Sequence, residues 1–342
     1  MKEHSRYDRQ MILREIGRQG QRRLDDSCIA VVGMGALGTV SANLLARAGV
    51  GKIILIDRDF LELSNLQRQV LYDEQDVKDG LPKAVAAKRR LQQINSEIEI
   101  EAQVADLNAS AIESLLDNVD LIVDGTDNFE SRFLINDFSL KKKIPWIYGG
   151  AVQTEGMSYV ILPQRPPCLR CLFGEAPKHH ETQTCSQVGI MATVSHLIAS
   201  FQATEAIKIL VRSWDRVDRR LWKVDVWNKT FKSISVEHLR ETPCSGCRDD
   251  FFPHLEIQKG TQSLSLCGRN AVQIYADLDD SLDFSVLAEK ISATARVKFN
   301  EHILNIYKDP FEITVFKNGR AIVKGTEDPG RAKSLYSQYV GT

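Results

Sequence analysis

Residues 28–57 have the sequence CIAVVGMGALGTVSANLLARAGVGKIILID. An apolar, β-branched run is followed by a glycine turn, an apolar helical stretch and a second apolar run that ends at Asp57. Continuous apolar strands that are joined by a helix are typical of a parallel sheet with both faces covered. The stretch therefore predicts a strand–helix–strand unit within a doubly wound α/β sheet.

The same alternation of strands and helices continues to about Gly150. Residues 156–163 and 220–236 then have the pattern of longer, partly exposed strands, which we expect to be antiparallel. We therefore predict an α/β fold, in which a doubly wound, Rossmann-like and mostly parallel sheet continues into antiparallel strands. Ligands of such sheets bind at the carboxyl ends of the parallel strands.

The chain has 342 residues, which is long enough for more than one folding unit. We place a boundary near residue 254, so that a domain at 1–254 is followed by a small α+β module at 255–342. In this module, residues 263–278 are predicted to form one strand and residues 311–325 a hairpin. The final helix is predicted to start after Asp328, a side chain that can cap its first turn.

The overall charge excludes some function classes. The formal net charge is −1, so no basic field favours nucleic acid or an anionic membrane. The charged N-terminus has no apolar core behind it and no run of about 18 apolar residues follows, so we expect neither a signal peptide nor a membrane span. These features predict a cytoplasmic globular protein.

GMGALG, residues 33–38, fits the pattern G-x-G-x-x-G between a strand and a helix. In this pattern Gly33 makes the tight turn, Gly35 lets a phosphate approach the backbone and Gly38 lets the helix pack on the strand. Asp57 ends the next strand and can accept hydrogen bonds from ribose hydroxyls. A nucleotide site is predicted here, although the motif alone does not distinguish NAD, FAD and ATP.

Cations and a further acid follow the nucleotide motif. Arg68 and Lys83 can place positive charge on a triphosphate, and Asn65 offers amide hydrogen bonds. Asp127 follows the apolar run VDLIVD, and a carboxylate in that position can ligate Mg²⁺. This set suits the attack of a substrate carboxylate on the α-phosphate of ATP, because both reactants are anions and need cations between them.

Four of the seven cysteines form two C-x-x-C pairs, which are Cys168 with Cys171 and Cys244 with Cys247. Four thiolates can hold one tetrahedral Zn²⁺ in a closed, structural site. A redox role for each pair is the competing interpretation.

The remaining cysteines are Cys28, Cys185 and Cys267. Cys185 precedes a long helical stretch, and a thiolate near a helix N-terminus is a competent nucleophile, although a buried inert cysteine would have the same local sequence. We expect Cys28 and Cys267 to be core residues.

The order of these motifs resembles a known family. RYDRQMILREIG near the N-terminus, GMGALG, SNLQRQ, GLPK, DGTDN, the two C-x-x-C pairs and TCSQVGI together resemble the ubiquitin-activating-enzyme-like adenylyltransferases of bacteria, the ThiF/MoeB/HesA family. The resemblance covers roughly residues 5–250. It implies ATP-dependent adenylation of the C-terminal glycine of a small ubiquitin-like sulfur carrier with a Gly-Gly end, for sulfur transfer in molybdopterin or thiazole biosynthesis.

The resemblance also implies roles for single residues. Asp127 would bind Mg²⁺, the four paired cysteines would bind Zn²⁺, and Cys185 would take part in sulfur transfer from a cysteine desulfurase or rhodanese. Arg14 matches an arginine that in the molybdopterin branch reaches into the neighbouring subunit's site, which implies a homodimer and favours that branch. The ATP shell implied by the resemblance consists of Gly33, Gly35, Gly38, Asp57, Ser64, Asn65, Leu66, Gln67, Arg68, Lys83, Asp127 and Asn128.

Two other functions remain open at this point. An NAD(P)-dependent Rossmann oxidoreductase would share the glycine motif but leaves Arg68, Lys83 and Asp127 without a role. A non-catalytic zinc scaffold could bind a carrier protein without activating it.

Overall fold

In a computed structural model of the chain, two compact units span Met1–Ile257 and Gln258–Thr342. The structure describes residues 5–175, 188–256, 263–266, 270–274, 282–292, 294–317 and 319–341. Within these residues no helix is both long and apolar enough to cross a membrane.

The first unit is built around one sheet. Its strands are β1 (Cys28–Val32), β2 (Lys52–Ile56), β3 (Glu99–Gln103), β4 (Leu121–Asp124), β5 (Trp146–Val152), β6 (Glu155–Ile161), β7 (Leu221–Asp225) and β8 (Thr230–Ile234). The strand order is β3-β2-β1-β4-β5-β6-β7-β8. The first five of these strands are parallel, and β6 to β8 are antiparallel to their neighbours, as the sequence predicted.

Helices and short 3₁₀ turns connect these strands. The described α-helices are α1 (Asp8–Met11), α2 (Gly17–Asp25), α3 (Ala36–Ala48), α4 (Glu74–Lys78), α5 (Lys83–Ile94), α6 (Ile112–Leu116), α7 (Phe129–Lys142), α8 (Leu169–Phe173) and α9 (Ala192–Leu210). The 3₁₀ turns are Ser5–Tyr7, Leu63–Asn65, Trp214–Arg216, Glu237–Glu241 and Pro253–Leu255.

The central strand β1 shows why both faces of the sheet are covered. Ile29 and Val31 are fully buried on one face, in a cluster with residues of α3, α5 and α9. Ala30 and Val32 are buried on the other face, with residues of α6 and α7. Because successive side chains of a strand point to opposite faces, a strand between two helical layers needs apolar residues at every position.

The strand order determines at which edge of the sheet a ligand is expected to bind. Strand β1 lies between β2 and β4, so the chain crosses to the other side of β1 after β3. At such a switch point the loops after the two central strands diverge and leave a crevice at the carboxyl ends. The segments that follow β1, β2 and β4 start at Gly33, Asp57 and Gly125, so these residues lie at one edge of the sheet.

The second unit is an α+β module. Its elements are β9 (Ser263–Leu266), β10 (Ala271–Ile274), α10 (Phe284–Ile291), β11 (Arg296–Phe299), β12 (Ile303–Lys308), β13 (Phe311–Phe316), β14 (Ala321–Lys324) and α11 (Pro329–Tyr339). The sheet has the order β11-β12-β13-β14-β10-β9, and one core is formed by residues of β10, β12, β13 and β14 with both helices.

Two sequence predictions in this unit have clear outcomes. The predicted hairpin is β13–β14, although Asn318 of its turn lies outside the described residues. The single strand predicted over 263–278 is wrong, because β9 and β10 pair with each other as an antiparallel hairpin. Asn270, at φ +44°, has the left-handed conformation that turns favour, and this signal for a chain reversal was missed.

Candidate functional site

The glycine turn after β1 is shaped by close backbone contacts. Gly33 has φ +87°, and a Cβ atom there would lie 2.6 Å from the carbonyl oxygen of Gly125. A Cβ on Gly38 would lie 1.8 Å from the oxygen of Gly33. Gly33 and Gly38 are therefore required by the contact between the turn, the start of α3 and the loop after β4.

Gly35 differs from the other two glycines. It precedes the first residue of α3, and the nearest atom to a Cβ there is the Gly125 oxygen at 3.9 Å. The space in front of it is open, and helix α3 has 13 residues with no side-chain cap at its N-terminus. Backbone N–H groups at the start of such a helix are suited to bind a phosphate.

Asp57 lies beside the glycine turn. Its Oδ2 accepts a hydrogen bond from the backbone nitrogen of Met34 at 2.6 Å, and its Oδ1 accepts one from Asp59 N at 2.7 Å. Burial raises the pKa of Asp57, although the nearby Lys83 ammonium opposes this effect. The carboxylate is thus fixed against the turn, at the position where the sequence predicted a contact to ribose.

Lys83 starts helix α5 and is 7% exposed. Its Nζ lies 3.1 Å from Oδ2 of Asp59, which in turn is linked through its backbone to Asp57. The structure therefore brings Lys83, Asp57 and the glycine turn to the same edge of the sheet.

Residues 66–68 and Val70 form one wall of a cavity, directly after Ser64 and Asn65. Asn65 is buried and accepts a hydrogen bond from Glu62 N at 3.1 Å, while Arg68 donates from Nη1 to the oxygen of Ser64 at 2.8 Å. The cavity has a volume of about 450 Å³. It is lined by Leu66, Gln67, Arg68, Val70, Ala192, Thr193 and His196.

His196 belongs to the opposite wall of this cavity, on α9, although a lone histidine within a long helix is more often a structural or surface residue and was not assigned a role from the sequence. Its Nδ1 lies 2.7 Å from the oxygen of Ala192, one turn earlier in the same helix. With Nδ1 as the donor, Nε2 of the neutral ring is an acceptor. Nε2 of His196 and the Arg68 guanidinium therefore both line the cavity as polar groups that an occupant could contact.

The loop after β4 carries Asp127 and Asn128. Asp127 is exposed, so its carboxylate is open to a cation. Asn128 is the N-cap of α7 and accepts a hydrogen bond through Oδ1 from Ser131 N at 2.8 Å. Gly125 precedes both residues, and a Cβ on it would lie 2.4 Å from the oxygen of Gly33, so this loop adjoins the glycine turn.

Sequence reasoning missed Asp124 and Arg132. Asp124 ends β4 and is fully buried, and Arg132 lies one turn into α7 with 7% exposure. The Arg132 Nε donates to Oδ2 of Asp124 at 3.1 Å. Burial raises the pKa of Asp124, while Arg132 and the hydrogen bonds from Thr126 act in the opposite direction. The sequence offers no local signal for Arg132, because an arginine that follows Glu130 and Ser131 has the pattern of an ordinary helical cation.

The four paired cysteines come together. The Sγ atoms of Cys168 and Cys171 are 3.8 Å apart, those of Cys168 and Cys244 are 3.7 Å apart, and those of Cys171 and Cys247 are 3.6 Å apart. All four sulfur atoms lie within 4.8 Å of one another. Thiolates around a tetrahedral Zn²⁺ at about 2.3 Å have sulfur–sulfur distances of about 3.8 Å, so the cluster fits this metal.

The charge of the cluster also suits a cation. Hydrogen bonds from the Cys168 and Cys247 thiols lower the pKa of Cys171 to about 4. Its thiolate is the form that binds metals. One cysteine of each pair, Cys168 and Cys244, is buried in the core of the first unit, and the other two pack against that core. A bound metal would therefore join residues 168–171 to residues 244–247.

A second set of contacts holds the first cysteine pair to α7. Arg170, between the two cysteines, donates to Oδ1 of the buried Asp137 at 3.0 Å. His254 contacts the same carboxylate, through its backbone nitrogen and through Nδ1, both at 3.1 Å. Leu169 N donates to Oδ1 of Asn136 at 3.0 Å.

Comparisons with known proteins show the family of this chain. A model of the ThiF family matches residues 7–246, which is more than two thirds of the chain. The chain belongs to the ThiF family. The match includes the glycine turn, the segment at 64–68, the loop after β4 and the first cysteine pair.

Two relatives extend the comparison of this ThiF-family chain. The sulfur carrier protein ThiS adenylyltransferase of Bacillus subtilis is 38% identical over 337 residues, which are 98% of this chain and 99% of the relative. The SAMP-activating enzyme E1 of Haloferax volcanii is 35% identical over 241 residues, 70% of this chain and 88% of the relative. The Bacillus protein therefore also matches the second unit, which the family model does not include.

Solved structures show the same fold. The crystal structure of E. coli MccB superimposes with a TM-score of 0.63 at 24% identity, covering 72% of this chain and 73% of MccB. This confirms the predicted α/β architecture of the ThiF-family unit.

Arg14 of this ThiF-family chain is not joined to the nucleotide edge by any contact of the described residues. Arg14 is exposed in the segment between α1 and α2, beside Ile12 and Leu13, which are 72% and 52% exposed. Cys185 lies outside the described residues, as does Cys267. Cys28, the third unpaired cysteine, starts β1 and is partly buried.

Proposed function

We propose that this ThiF-family chain is an ATP-dependent adenylyltransferase that activates the C-terminal glycine carboxylate of a small ubiquitin-like sulfur-carrier protein. The product is an acyl-adenylate, and pyrophosphate leaves. The observation that carries this proposal is the assembly of the glycine turn, Asp57, Lys83 and the Asp127 loop at one sheet edge, in a chain that matches the Bacillus ThiS adenylyltransferase over 98% of its length.

Charge explains the need for this assembly. A carboxylate that approaches a phosphate at 4 Å is repelled by about 4 kcal/mol at an effective dielectric constant near 20. The N–H groups of the α3 N-terminus and the side chains of Arg68 and Lys83 oppose this repulsion. Asp127 would hold Mg²⁺, which supplies further positive charge on the phosphates.

Lys83 has to change partner in this reaction. Its ammonium contacts Asp59 at 3.1 Å, and we propose that it turns toward the phosphates of ATP when the nucleotide is bound. Asp57, fixed by Met34 N and Asp59 N, keeps lone pairs for the ribose hydroxyls. Asp57 thus orients the nucleoside, while Arg68 and Lys83 present positive charge to the phosphates.

The four-cysteine cluster is proposed to bind Zn²⁺ in a structural role. Four protein ligands leave no coordination position for a substrate. The metal would fasten residues 168–171 and 244–247 to each other at the side of α7.

We propose a ThiS-like carrier, because the Bacillus relative matches both units of this chain. Cys185 is proposed to act in the following sulfur transfer, with sulfur from a cysteine desulfurase or a rhodanese. We further propose a cytoplasmic homodimer in which Arg14 reaches the site of the partner subunit, in keeping with its exposure beside apolar Ile12 and Leu13.

The test is exchange of radiolabelled pyrophosphate into ATP, measured with a ThiS-like and a molybdopterin-type carrier in separate reactions. Exchange that depends on the carrier's terminal glycine is expected, with the ThiS-like carrier preferred. Asp127→Ala is expected to abolish it, and Arg68→Ala to reduce it strongly. Tight binding of NADH without carrier-dependent exchange would instead support an oxidoreductase and contradict the proposal.

A further inference from the structure

Arg132 makes three hydrogen bonds inside the first unit. Its Nε donates to Oδ2 of Asp124 at 3.1 Å, and its Nη2 donates to the carbonyl oxygens of Thr126 at 2.7 Å and Gly149 at 3.0 Å. The guanidinium therefore connects the end of β4, the loop after it and strand β5.

The surroundings keep the guanidinium in this place. Its central carbon lies 5.4 Å from the ring centre of Phe129 and 5.2 Å from that of Tyr148. The side chain is only 8% exposed, so water does not compete for these hydrogen bonds. Arginine offers several donors in one rigid plane, whereas a lysine ammonium on a flexible stem cannot reach the same three acceptors with that geometry.

Thr126 is held from two sides by this network. Its backbone nitrogen and its Oγ1 both donate to Oδ1 of Asp124, at 2.8 and 2.7 Å, and its carbonyl oxygen accepts from Arg132. The buried carboxylate also accepts from Gly149 N at 3.3 Å. The peptide unit between Thr126 and Asp127 is therefore held through the Thr126 carbonyl oxygen. The backbone before this peptide unit is held through the Thr126 nitrogen.

We infer that Arg132 is a positioning residue that fixes the loop after β4 and thereby aims the exposed carboxylate of Asp127 at the metal of the bound nucleotide. This inference rests on the proposed adenylation. Arg132 is buried beneath the loop and acts through Thr126, so it does not itself contact the substrate. If the hydrogen bonds of Arg132 are lost, Asp127 is still present, but the direction of its carboxylate can vary.

The experiment measures pyrophosphate exchange as a function of Mg²⁺ at saturating ATP and carrier, in the full chain. Arg132→Lys is expected to raise the Mg²⁺ concentration for half-maximal exchange by about tenfold, as for other residues that orient a metal ligand. High Mg²⁺ should restore most of the rate. A loss of rate that Mg²⁺ does not restore would assign Arg132 to general stability and overturn the inference.

Thr126→Val is the second variant, for the case that Arg132→Lys does not fold. It removes only the Oγ1 bond to Asp124, so it is expected to shift the Mg²⁺ dependence in the same direction by a smaller factor. Arg170→Lys is the matched control, because it alters another arginine–aspartate pair that involves α7, between Arg170 of α8 and the buried Asp137 of α7 at 3.0 Å. It is expected to lower the melting temperature without changing the Mg²⁺ dependence.

Asp127→Asn separates this inference from the proposed function. If Asp127→Asn raises the Mg²⁺ requirement while Arg132→Lys and Thr126→Val do not, the inference is overturned and the adenylation proposal stands. If the wild-type protein gives no carrier-dependent exchange, the proposed function fails, and the inference fails with it.

Discussion

The backbones of Gly38 and Gly33 are so close that a Cβ atom on Gly38 would lie 1.8 Å from the Gly33 carbonyl oxygen. Helix α3 thus packs on the glycine turn without room for a methyl group. Gly35, between these two glycines, has open space at its own Cβ position. The three glycines of one motif therefore differ in whether there is room for a side chain. Substitutions at Gly38 and Gly35 can thus distinguish an effect on folding from an effect on nucleotide binding.

Gly38→Ala is expected to destabilise the first unit by about 3 kcal/mol, because α3 must move away from the turn. Urea denaturation measures the change. Gly35→Ala is the control: its stability should stay close to that of the wild type, while its affinity for ATP, measured by calorimetry, should fall. Equal stability of the two variants would contradict the proposed packing role of Gly38.

The purified protein is expected to contain one zinc ion per chain, measured by plasma mass spectrometry. Cys171→Ser should lose the metal and destabilise the first unit by more than about 4 kcal/mol, since an unfilled ligand set leaves the two cysteine pairs unjoined. Cys28→Ser, in β1, should keep the metal. Retention of a full zinc equivalent in Cys171→Ser would show that this thiol is not a ligand.

The carboxyl group of Asp218 is expected to make the free energy of unfolding depend on pH. Hydrogen bonds from Arg220 lower its pKa to about 2, with Trp222 Nε1 also donating to it at 2.9 Å. A carboxyl whose pKa is lower in the folded than in the unfolded chain adds stability above pH 3.8, and this stability is lost as the pH falls toward 2.

Asp218→Asn is therefore expected to cost about 1 kcal/mol at pH 7, a value reduced for its partial exposure to water. The difference from the wild type should shrink between pH 4 and pH 2, as measured by urea denaturation at several pH values. Asp215→Asn, whose side chain is 79% exposed, is the control and should change little at any pH. A pH-independent difference would contradict the role of the carboxylate charge.

Cys185→Ala is expected to leave pyrophosphate exchange unchanged and to reduce the yield of carrier thiocarboxylate by more than about tenfold, because the thiol is proposed to act only after adenylation. Mass spectrometry of the carrier measures the product. An unchanged yield would remove Cys185 from the reaction.

Much of the nucleotide edge was predictable from the sequence, because strand order and glycine geometry leave local traces. The stretch from Cys28 to Asp57 predicts two parallel strands and the turn between them, and the structure has both. The cysteine pairs are likewise visible as spacing, and their meeting follows once the antiparallel half of the sheet brings residues 168 and 244 together.

Asp124 and Arg132 were not predictable by the same means. Arg132 has the sequence signature of an ordinary helical cation, and only tertiary structure shows that three acceptors surround it in the interior. The strand predicted over 263–278 failed for a different reason, because the polar residue Asn270 interrupts the apolar pattern and adopts the positive φ that turns favour.

Helix α7 has a further consequence for how this chain can vary. Asn128, Arg132 and Asn136 follow one another at intervals of four, and they bind respectively the helix start, the loop after β4 and the first cysteine pair. A single inserted or deleted residue between them would rotate the later contacts by about 100° around the helix axis. Length changes should thus be tolerated in surface loops of related chains, whereas the number of residues between Asn128 and Asn136 should stay constant.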